Sequence, residues 1–142
     1  LFRSGTLIPR FAGITDEMAA RGMRFEQALS CWDWEPHNGY DLPRSLIRQN
    51  PPRALLCLND RLAFGAYQAL AEAGLSVPDD VAIVSFDNDE VASYLRPGLS
   101  TIGLPHEAMG QKAVELVLGT RQTPRTSLVA MPVILRGSLP QA

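Results

Sequence analysis

The 142-residue sequence predicts an α/β fold in which a parallel sheet is flanked by helices. Residues 54–58 and 81–84 are two continuous apolar runs, the pattern of parallel strands that are covered on both faces. Between them, residues 60–73 repeat apolar side chains at helical spacing, so the three segments form a right-handed βαβ unit. A hydrophobic content of 46% is enough for one core.

Apolar spacing and turn residues place the other elements. Pro132 lies inside the last apolar run and removes a backbone donor, so we expect that strand at an edge of the sheet. Pro43 fits a helix only near its first turn. The remaining predictions are helices over residues 9–21, 40–49 and 106–118, a helical turn over 89–95, and strands ending near residue 2 and over 25–34, 99–102 and 127–135.

Charge and cysteine content limit the possible partners and settings. The net charge of -2 gives no basic field of the kind that binds phosphate backbones or anionic membranes, so any DNA contact would need another segment. Two cysteines are too few for a disulfide framework, which favours a reducing, cytoplasmic setting. We expect neither a membrane-spanning segment nor a signal peptide. The first residue is not Met, which is consistent with a piece of a longer protein.

Polar residues follow both apolar runs where the strands end. Asn59 and Asp60 close the first run, and Asp87 follows the second. Since ligands of open α/β sheets bind beyond the carboxyl ends of the strands, these side chains predict a binding site. We interpret Asn59 as the better ligand contact, because its amide donates and accepts, and Asp60 as the helix N-cap. Two alternatives stay open: Asn59 satisfies a loop carbonyl, and Asp87 caps the following turn.

The helix over residues 60–73 is apolar on two faces. One stripe contains Leu62, Ala66, Ala69, Leu70 and Ala73, and the other contains Phe64, Tyr67 and Ala71. The second stripe either widens the contact with the core or meets a partner subunit. Local sequence favours neither of these interpretations.

Catalytic and metal chemistry find no support in the residue pattern. His37 and His106 have no metal-ligating neighbours at useful spacing, and the acidic residues cluster in turns instead of forming an opposed pair. The sequence contains neither a nucleophile elbow nor a phosphate-binding glycine loop. We therefore expect a protein that is not an enzyme, with no metal and no cofactor.

A series of residues across most of the chain resembles the LacI family of bacterial repressors. The run from Asn59 to Leu116 keeps the order and spacing of that family's C-terminal signature. The matching residues are Asn59-Asp60, Ala63, Gly65, Ala69-Leu70, Gly74, Val77-Pro78-Asp79-Asp80-Val81, Phe86-Asp87, Tyr94, Pro97-Gly98-Leu99-Ser100-Thr101-Ile102, Met109-Gly110, Ala113 and Leu116. Leu135-Arg136-Gly137-Ser138 is similar to the family's last strand, and Arg10-Phe11-Ala12-Gly13 to its Arg-x-x-Gly element.

The resemblance implies the C-terminal lobe of a periplasmic-binding-protein-like (type I) core, incomplete without the N-terminal lobe. Residues 1–104 would form this lobe, 105–126 a crossover helix and loop that pack on the other lobe, and 127–142 a closing strand and tail. Without the other lobe, the helix over 106–118 would swap, dimerise or pack non-natively. Operator DNA would be bound only through a helix-turn-helix headpiece outside this chain.

The resemblance also implies an effector site. Its residues would be Arg10, Trp34, Asn59, Asp87 and His106, with Leu104 a weaker candidate and Trp32 an alternative to Trp34 as the stacking aromatic. Arg10 would offer a forked donor, Asp87 would accept from a pair of hydroxyls, and Trp34 would stack on a sugar or base.

Two partners and one alternative function follow from the same resemblance. The effector is expected to be a sugar, with a nucleoside or purine as alternatives. The family's dimer surface would include Phe64, Tyr67 and Tyr94. A sugar-binding component of a transport system, which has the same fold, is the alternative to a transcriptional regulator.

Overall fold

The computed structural model describes residues 7–119 and 126–140. The chain divides into two compact units, Leu1–Asp33 and Trp34–Ala142. In the first unit, helix α1 (Leu7–Ala20) confirms the prediction for residues 9–21 and is followed by Gly22 at a φ of 68°. The strand predicted over 25–34 is wrong, since these residues form no regular structure. Phe25 instead stacks on Phe11 with ring centroids 5.6 Å apart.

The second unit contains a four-stranded sheet in the order β1-β2-β3-β4. Its strands are β1 (Ala54–Leu56), β2 (Ala82–Asp87), β3 (Ser100–Gly103) and β4 (Val133–Ile134). The first three strands are parallel, and β4 runs antiparallel to β3, so the sheet is mixed. The predicted α/β class is confirmed, but the strand predicted over 127–135 is limited to β4, which lies at the edge of the described sheet directly after Pro132. The strand predicted near residue 2 lies outside the described residues.

Five helices surround this sheet in the described part of the second unit. They are α2 (Pro36–Asp41), α3 (Arg44–Gln49), α4 (Asp60–Glu72), α5 (Val91–Tyr94) and α6 (His106–Leu118). The helix predicted over 40–49 is thus two short helices, with Pro43 as the N-cap of α3. None of the helices in the described ranges has the length and apolarity to cross a bilayer.

The core lies between α4 and the middle of the sheet. Leu70 of α4, Ile83 of β2 and Leu99 next to β3 are all fully buried. Strand β1 differs from the prediction that both of its faces are covered, because it lies at the edge of the described sheet and Leu56 remains 38% exposed. The βαβ unit of β1, α4 and β2 therefore has the predicted connection, but only β2 has the predicted burial.

Helices α2 and α4 cross with their backbones in contact at two glycines. A Cβ atom on Gly39 would lie 1.9 Å from the Leu62 carbonyl oxygen, and one on Gly65 would lie 1.9 Å from the Pro36 carbonyl oxygen. Beside this crossing, the Tyr40 hydroxyl donates to Glu72 Oε2 over 2.6 Å. The crossing fixes residues 34–41 against the helix that follows β1.

Helix α6 buries none of its residues in the described chain. Its most exposed apolar side chains are those of Val117 and Leu118, at 82% and 78% exposure. A shallow apolar groove lies between α6 and residues 127–131, and Met109, Leu116 and Met131 are among the residues that line it.

Replacing Gly65 by alanine tests the backbone contact between α2 and α4. We expect Gly65→Ala to lower the free energy of unfolding by about 3 kcal/mol, because the added methyl group forces the two helices apart. Urea unfolding followed by circular dichroism measures the change. Gly110→Ala in α6 is the matched control, because its Cβ meets no atom within 4 Å and alanine favours helix. Equal stability of the two variants would contradict the prediction.

Candidate functional site

The carboxylate of Asp60 joins three segments at the carboxyl ends of the strands. Asp60 is fully buried at the start of α4. Its Oδ1 accepts hydrogen bonds from the hydroxyl of Ser85 in β2 and from the hydroxyl of Thr101 in β3, the latter at 2.8 Å. Its Oδ2 accepts from the backbone N–H of Asp89 at 2.6 Å. The carboxylate thereby ties the first turn of α4 to both neighbouring strand ends.

The prediction that Asp60 caps α4 is corrected by this geometry. Asn59 is the N-cap of α4, since its Oδ1 accepts from the backbone N–H of Leu62 at 2.8 Å. Its Nδ2 donates to the Trp34 carbonyl oxygen at 3.0 Å, which matches the alternative that Asn59 satisfies a loop carbonyl. Asp60 comes one residue later in the helix, so its side chain turns inward toward the sheet instead of capping.

Asp87 ends β2 in a turn with an unusual backbone. The φ angles of Asp87 and Asn88 are 106° and 58°, in the left-handed region that non-glycine residues rarely adopt. The Asp87 carbonyl accepts from Leu104 N–H at 3.0 Å, and Asn88 N–H donates to Thr101 Oγ1 at 3.3 Å. Together with the bond from Asp89 N–H to Asp60, these contacts fix the backbone of the turn at Asp87, whose side chain is half-buried.

A closing segment, residues 136–138, fastens β2 and β3 from the other end of the chain. The buried Ser138 hydroxyl donates to the Ile83 carbonyl at 2.6 Å and accepts from Ser100 N–H at 2.8 Å. Ile83 N–H donates to the Ser138 carbonyl at 2.9 Å. Arg136 Nη2 donates to Asn88 Oδ1 at 2.8 Å, which connects the segment to the turn after Asp87.

Burial controls the chemistry of the one thiol near this site. Burial, followed by the negative charge of Asp60, raises the pKa of Cys57 to about 12. The neutral form of the thiol is therefore favoured near pH 7. Cys57 is a packing residue of the strand end, as its apolar neighbours predict.

The candidate effector residues are distributed over both units. Arg10 is half-buried in α1, within the first unit. In the second unit, the Asn59 side chain donates to the Trp34 carbonyl. Asp87 lies two residues before Asp89, whose N–H donates to the Asp60 carboxylate. His106 is exposed at the start of α6, two residues after Leu104, the partner of the Asp87 carbonyl.

Comparison with known proteins gives the family. A profile described as a periplasmic binding protein-like domain matches residues 4–139. The lactose operon repressor of Rhizobium radiobacter is 43% identical over 81 residues, which are 56% of this chain and 72% of that repressor. A sugar-binding LacI-family regulator of Escherichia coli, solved with phosphate, superposes with a TM-score of 0.82 at 30% identity. The chain belongs to the LacI family.

The match covers one part of the LacI-family regulators. The Escherichia coli structure aligns over 98% of this chain but only 52% of its own length. A LacI-family regulator of Enterococcus faecium with bound ribose aligns with a TM-score of 0.74 and 28% identity, over 92% of this chain and 50% of that one. The chain thus spans about half the length of these LacI-family structures.

The three residues predicted for the LacI-family dimer surface differ in exposure. Phe64 is half-buried, and Tyr94 is 65% exposed. Tyr67, which the resemblance placed on the dimer surface, is instead buried: it belongs to the core and donates from its hydroxyl to the Pro97 carbonyl at 2.9 Å. Burial is the main reason that the pKa of Tyr67 is raised, to about 12. Its side chain widens the core contact of α4, one of the two interpretations left open by the sequence.

Removal of the Asp60 carboxylate tests its structural role. We expect Asp60→Ala to lower the free energy of unfolding by about 3 kcal/mol, because two hydroxyls and one N–H lose their buried acceptor. The measurement is urea unfolding followed by tryptophan fluorescence. Asp80→Ala is the control, since Asp80 Oδ2 also accepts from a backbone N–H, that of Ser76 at 2.7 Å, but at an exposed position. A loss as small as that of the control would refute the assigned role.

Proposed function

We propose that this chain is the effector-sensing and dimerisation lobe of a cytoplasmic LacI-family transcriptional regulator. The observation that carries the proposal is the position of Asp87 at the carboxyl end of a central strand, in a turn whose residues 87–89 make four hydrogen bonds to surrounding segments. This edge of an α/β sheet is where ligands of such folds bind. A lactose operon repressor and a ribose-bound regulator among the relatives support a sugar as the effector class.

The proposed contacts combine several kinds of chemistry. Asp87 accepts hydrogen bonds from a pair of hydroxyls, while Arg10 supplies a forked donor. Trp34 covers an apolar face of the sugar ring, with Trp32 as the alternative. Asn59 holds Trp34 in place through its hydrogen bond to the Trp34 carbonyl. In addition, Asn59 contacts the ligand itself. His106, at the start of α6, is a further ligand contact in this proposal.

Regulation follows from unequal affinity for two arrangements of the protein. An effector bound between this lobe and a second lobe stabilises the arrangement in which it makes more contacts, and this shifts the state of the attached DNA-binding segment. Within this proposal, residues 1–104 form the lobe, 105–126 pack on the second lobe and 127–142 close the structure. The exposed apolar side chains of α6 support such a contact. Operator DNA is bound outside this chain.

A regulator is favoured over a sugar-binding transport component by the curated relatives, which are named as operon repressors. The proposal includes no catalytic step, no metal and no cofactor. A nucleoside or purine effector would use the same stacking and hydrogen-bonding groups, so the binding test includes these ligands.

The dimer surface proposed here consists of Phe64 on α4 and Tyr94 on α5. Both side chains expose apolar surface, and the Tyr94 hydroxyl is oriented by its bond to Glu90 Oε1 at 2.6 Å. Helices α4 and α5 are in contact, so the two residues lie on neighbouring helices. Tyr67 is buried and supports this surface by joining α4 to Pro97 through its hydroxyl.

Asp87→Asn tests the effector site. This variant keeps the side-chain shape and tolerates the positive φ, but it loses the charged acceptor. We expect the affinity of the full-length gene product for its best ligand to fall at least about tenfold. Isothermal titration calorimetry with ribose, glucose, lactose, adenosine and hypoxanthine gives the affinities. Asp79→Ala, which removes an exposed carboxylate elsewhere, is the charge control, and unchanged binding by Asp87→Asn would exclude Asp87 from the site.

Phe64→Asp tests the dimer surface. We expect a smaller dimer fraction in sedimentation velocity, because a carboxylate would be desolvated at the centre of the contact. Phe64→Leu keeps an apolar side chain and should remain dimeric, while circular dichroism reports whether either variant unfolds. A variant at Tyr67 is unsuitable, since Tyr67→Asp would place a charge in the core. Dimerisation of Phe64→Asp at wild-type strength would argue against this surface.

A further inference from the structure

We propose that Arg136 is a positioning residue for the effector contact at Asp87, acting through the left-handed turn of residues 87–89. The proposal rests on the function proposed for Asp87. It adds a residue from the closing segment, distant in sequence from the strand ends that form the site. Arg136 would determine how well the lobe holds its ligand without touching the ligand.

The turn needs external support because its backbone conformation is unfavourable. Two consecutive non-glycine residues, Asp87 and Asn88, have φ angles of 106° and 58°. Such residues persist in the left-handed region only where the surrounding contacts over-determine them. Asparagine tolerates this region better than most residues, but Asp87 lies well beyond the usual left-handed angles. The direction of the Asp87 carboxylate therefore depends on whatever holds Asn88 and Asp89.

Arg136 holds the turn with one arm of its guanidinium and the sheet with the other. Nη2 donates to Asn88 Oδ1 at 2.8 Å, and Nη1 donates to the Leu99 carbonyl at 2.7 Å. The backbone N–H of Arg136 donates to Ser100 Oγ at 2.8 Å, so the residue is anchored to β3 at its main chain as well.

The stem of the side chain has little freedom to move. A Cβ atom on Gly98 would lie 3.1 Å from Arg136 Cδ and 3.4 Å from its Cβ, so the stem lies directly against the Gly98 backbone. The guanidinium is thus a rigid bridge between the start of β3 and the turn that follows β2. The bonds on the other side of the turn come from Asp60 and Thr101.

Lysine cannot reproduce this bridge. Its single ammonium group lacks the two-armed geometry that reaches a carbonyl and an amide oxygen at once. Without the bond to Asn88, the turn populates other backbone conformations, and only the remaining fraction of molecules presents Asp87 correctly. The apparent affinity for effector falls by that fraction.

The test compares two arginine-to-lysine variants in the full-length gene product. Arg136→Lys removes the bridge, and Arg96→Lys is the matched control, because Arg96 Nη1 donates to the Ser93 and Leu95 carbonyls away from the turn. Calorimetry uses the ligand that binds the wild type best among ribose, glucose, lactose, adenosine and hypoxanthine. We expect about a tenfold loss of affinity for Arg136→Lys, equivalent to about 1.4 kcal/mol, and none for Arg96→Lys.

Hydrogen exchange provides a second measurement that needs no ligand. In Arg136→Lys, the amides of Asn88 and Asp89 should exchange several-fold faster. The Ile83 amide, bonded to the Ser138 carbonyl, should remain as protected as in the wild type. A general loss of stability would accelerate all three amides together and would overturn the proposal.

Two further variants test the positioning role of Arg136 if Arg136→Lys does not fold. Asn88→Gly permits the same φ but removes the acceptor, so it should show the same loss of affinity. Asn88→Asp keeps an acceptor for Arg136 and should bind like the wild type.

The possible failures are distinguishable. Wild-type affinity in Arg136→Lys, in a protein where Asp87→Asn has lost binding, would overturn the positioning role and leave the proposed function intact. An equal loss in both lysine variants would also overturn it. If the wild type binds none of the ligands, the proposed function fails, and the effector-positioning role fails with it. Hydrogen exchange then decides only whether Arg136 holds the turn.

Discussion

A buried carboxylate needs donors for both oxygens, and Asp60 finds them on β2, on β3 and on the loop that follows β2. Ser85, Thr101 and the Asp89 amide lie 25, 41 and 29 residues from Asp60 in sequence. The first turn of α4 also places backbone N–H groups and the positive end of the helix dipole near the charge. One side chain therefore joins α4 to two paired strands and to the loop after β2, and the orientation of the candidate site depends on this contact. The Asp60 carboxylate is bonded to the strands and the loop, and the cap of α4 is the side chain of Asn59.

The sequence predicts the elements of this lobe better than it predicts their contacts. The βαβ unit, α1, α4 and α6 follow from apolar periodicity, which is a local property of the chain. The strand expected over 25–34 rested on four scattered apolar residues, and its Phe25 found a partner in Phe11 instead. Periodicity also could not show that β1 lies at an edge of the described sheet, because burial depends on neighbours that are distant in sequence.

The candidate site shows the same division. The sequence predicts that polar residues gather at the ends of β1 and β2, because all parallel strands of a sheet present their carboxyl ends on one side. The sequence does not determine whether Asn59 or Asp60 caps the helix, since a shift of one residue in the helix start exchanges the directions of their side chains. Tyr67 was expected on the surface, yet its hydroxyl reaches a carbonyl 30 residues away in sequence. Arg136 and Ser138 carried no local signal beyond their resemblance to a family strand.

The closing segment has a consequence for the order in which the lobe is completed during synthesis. Arg136 follows Asn88 by 48 residues, and Ser138 follows Ile83 by 55. A ribosome has thus made β2, β3 and α6 before the residues that fasten them exist. Until then, the nascent chain exposes unpaired amides at Ile83 and Ser100, which are open strand positions of the kind that recruit other chains. The growing lobe therefore carries these open strand positions until residues 136–138 have been made.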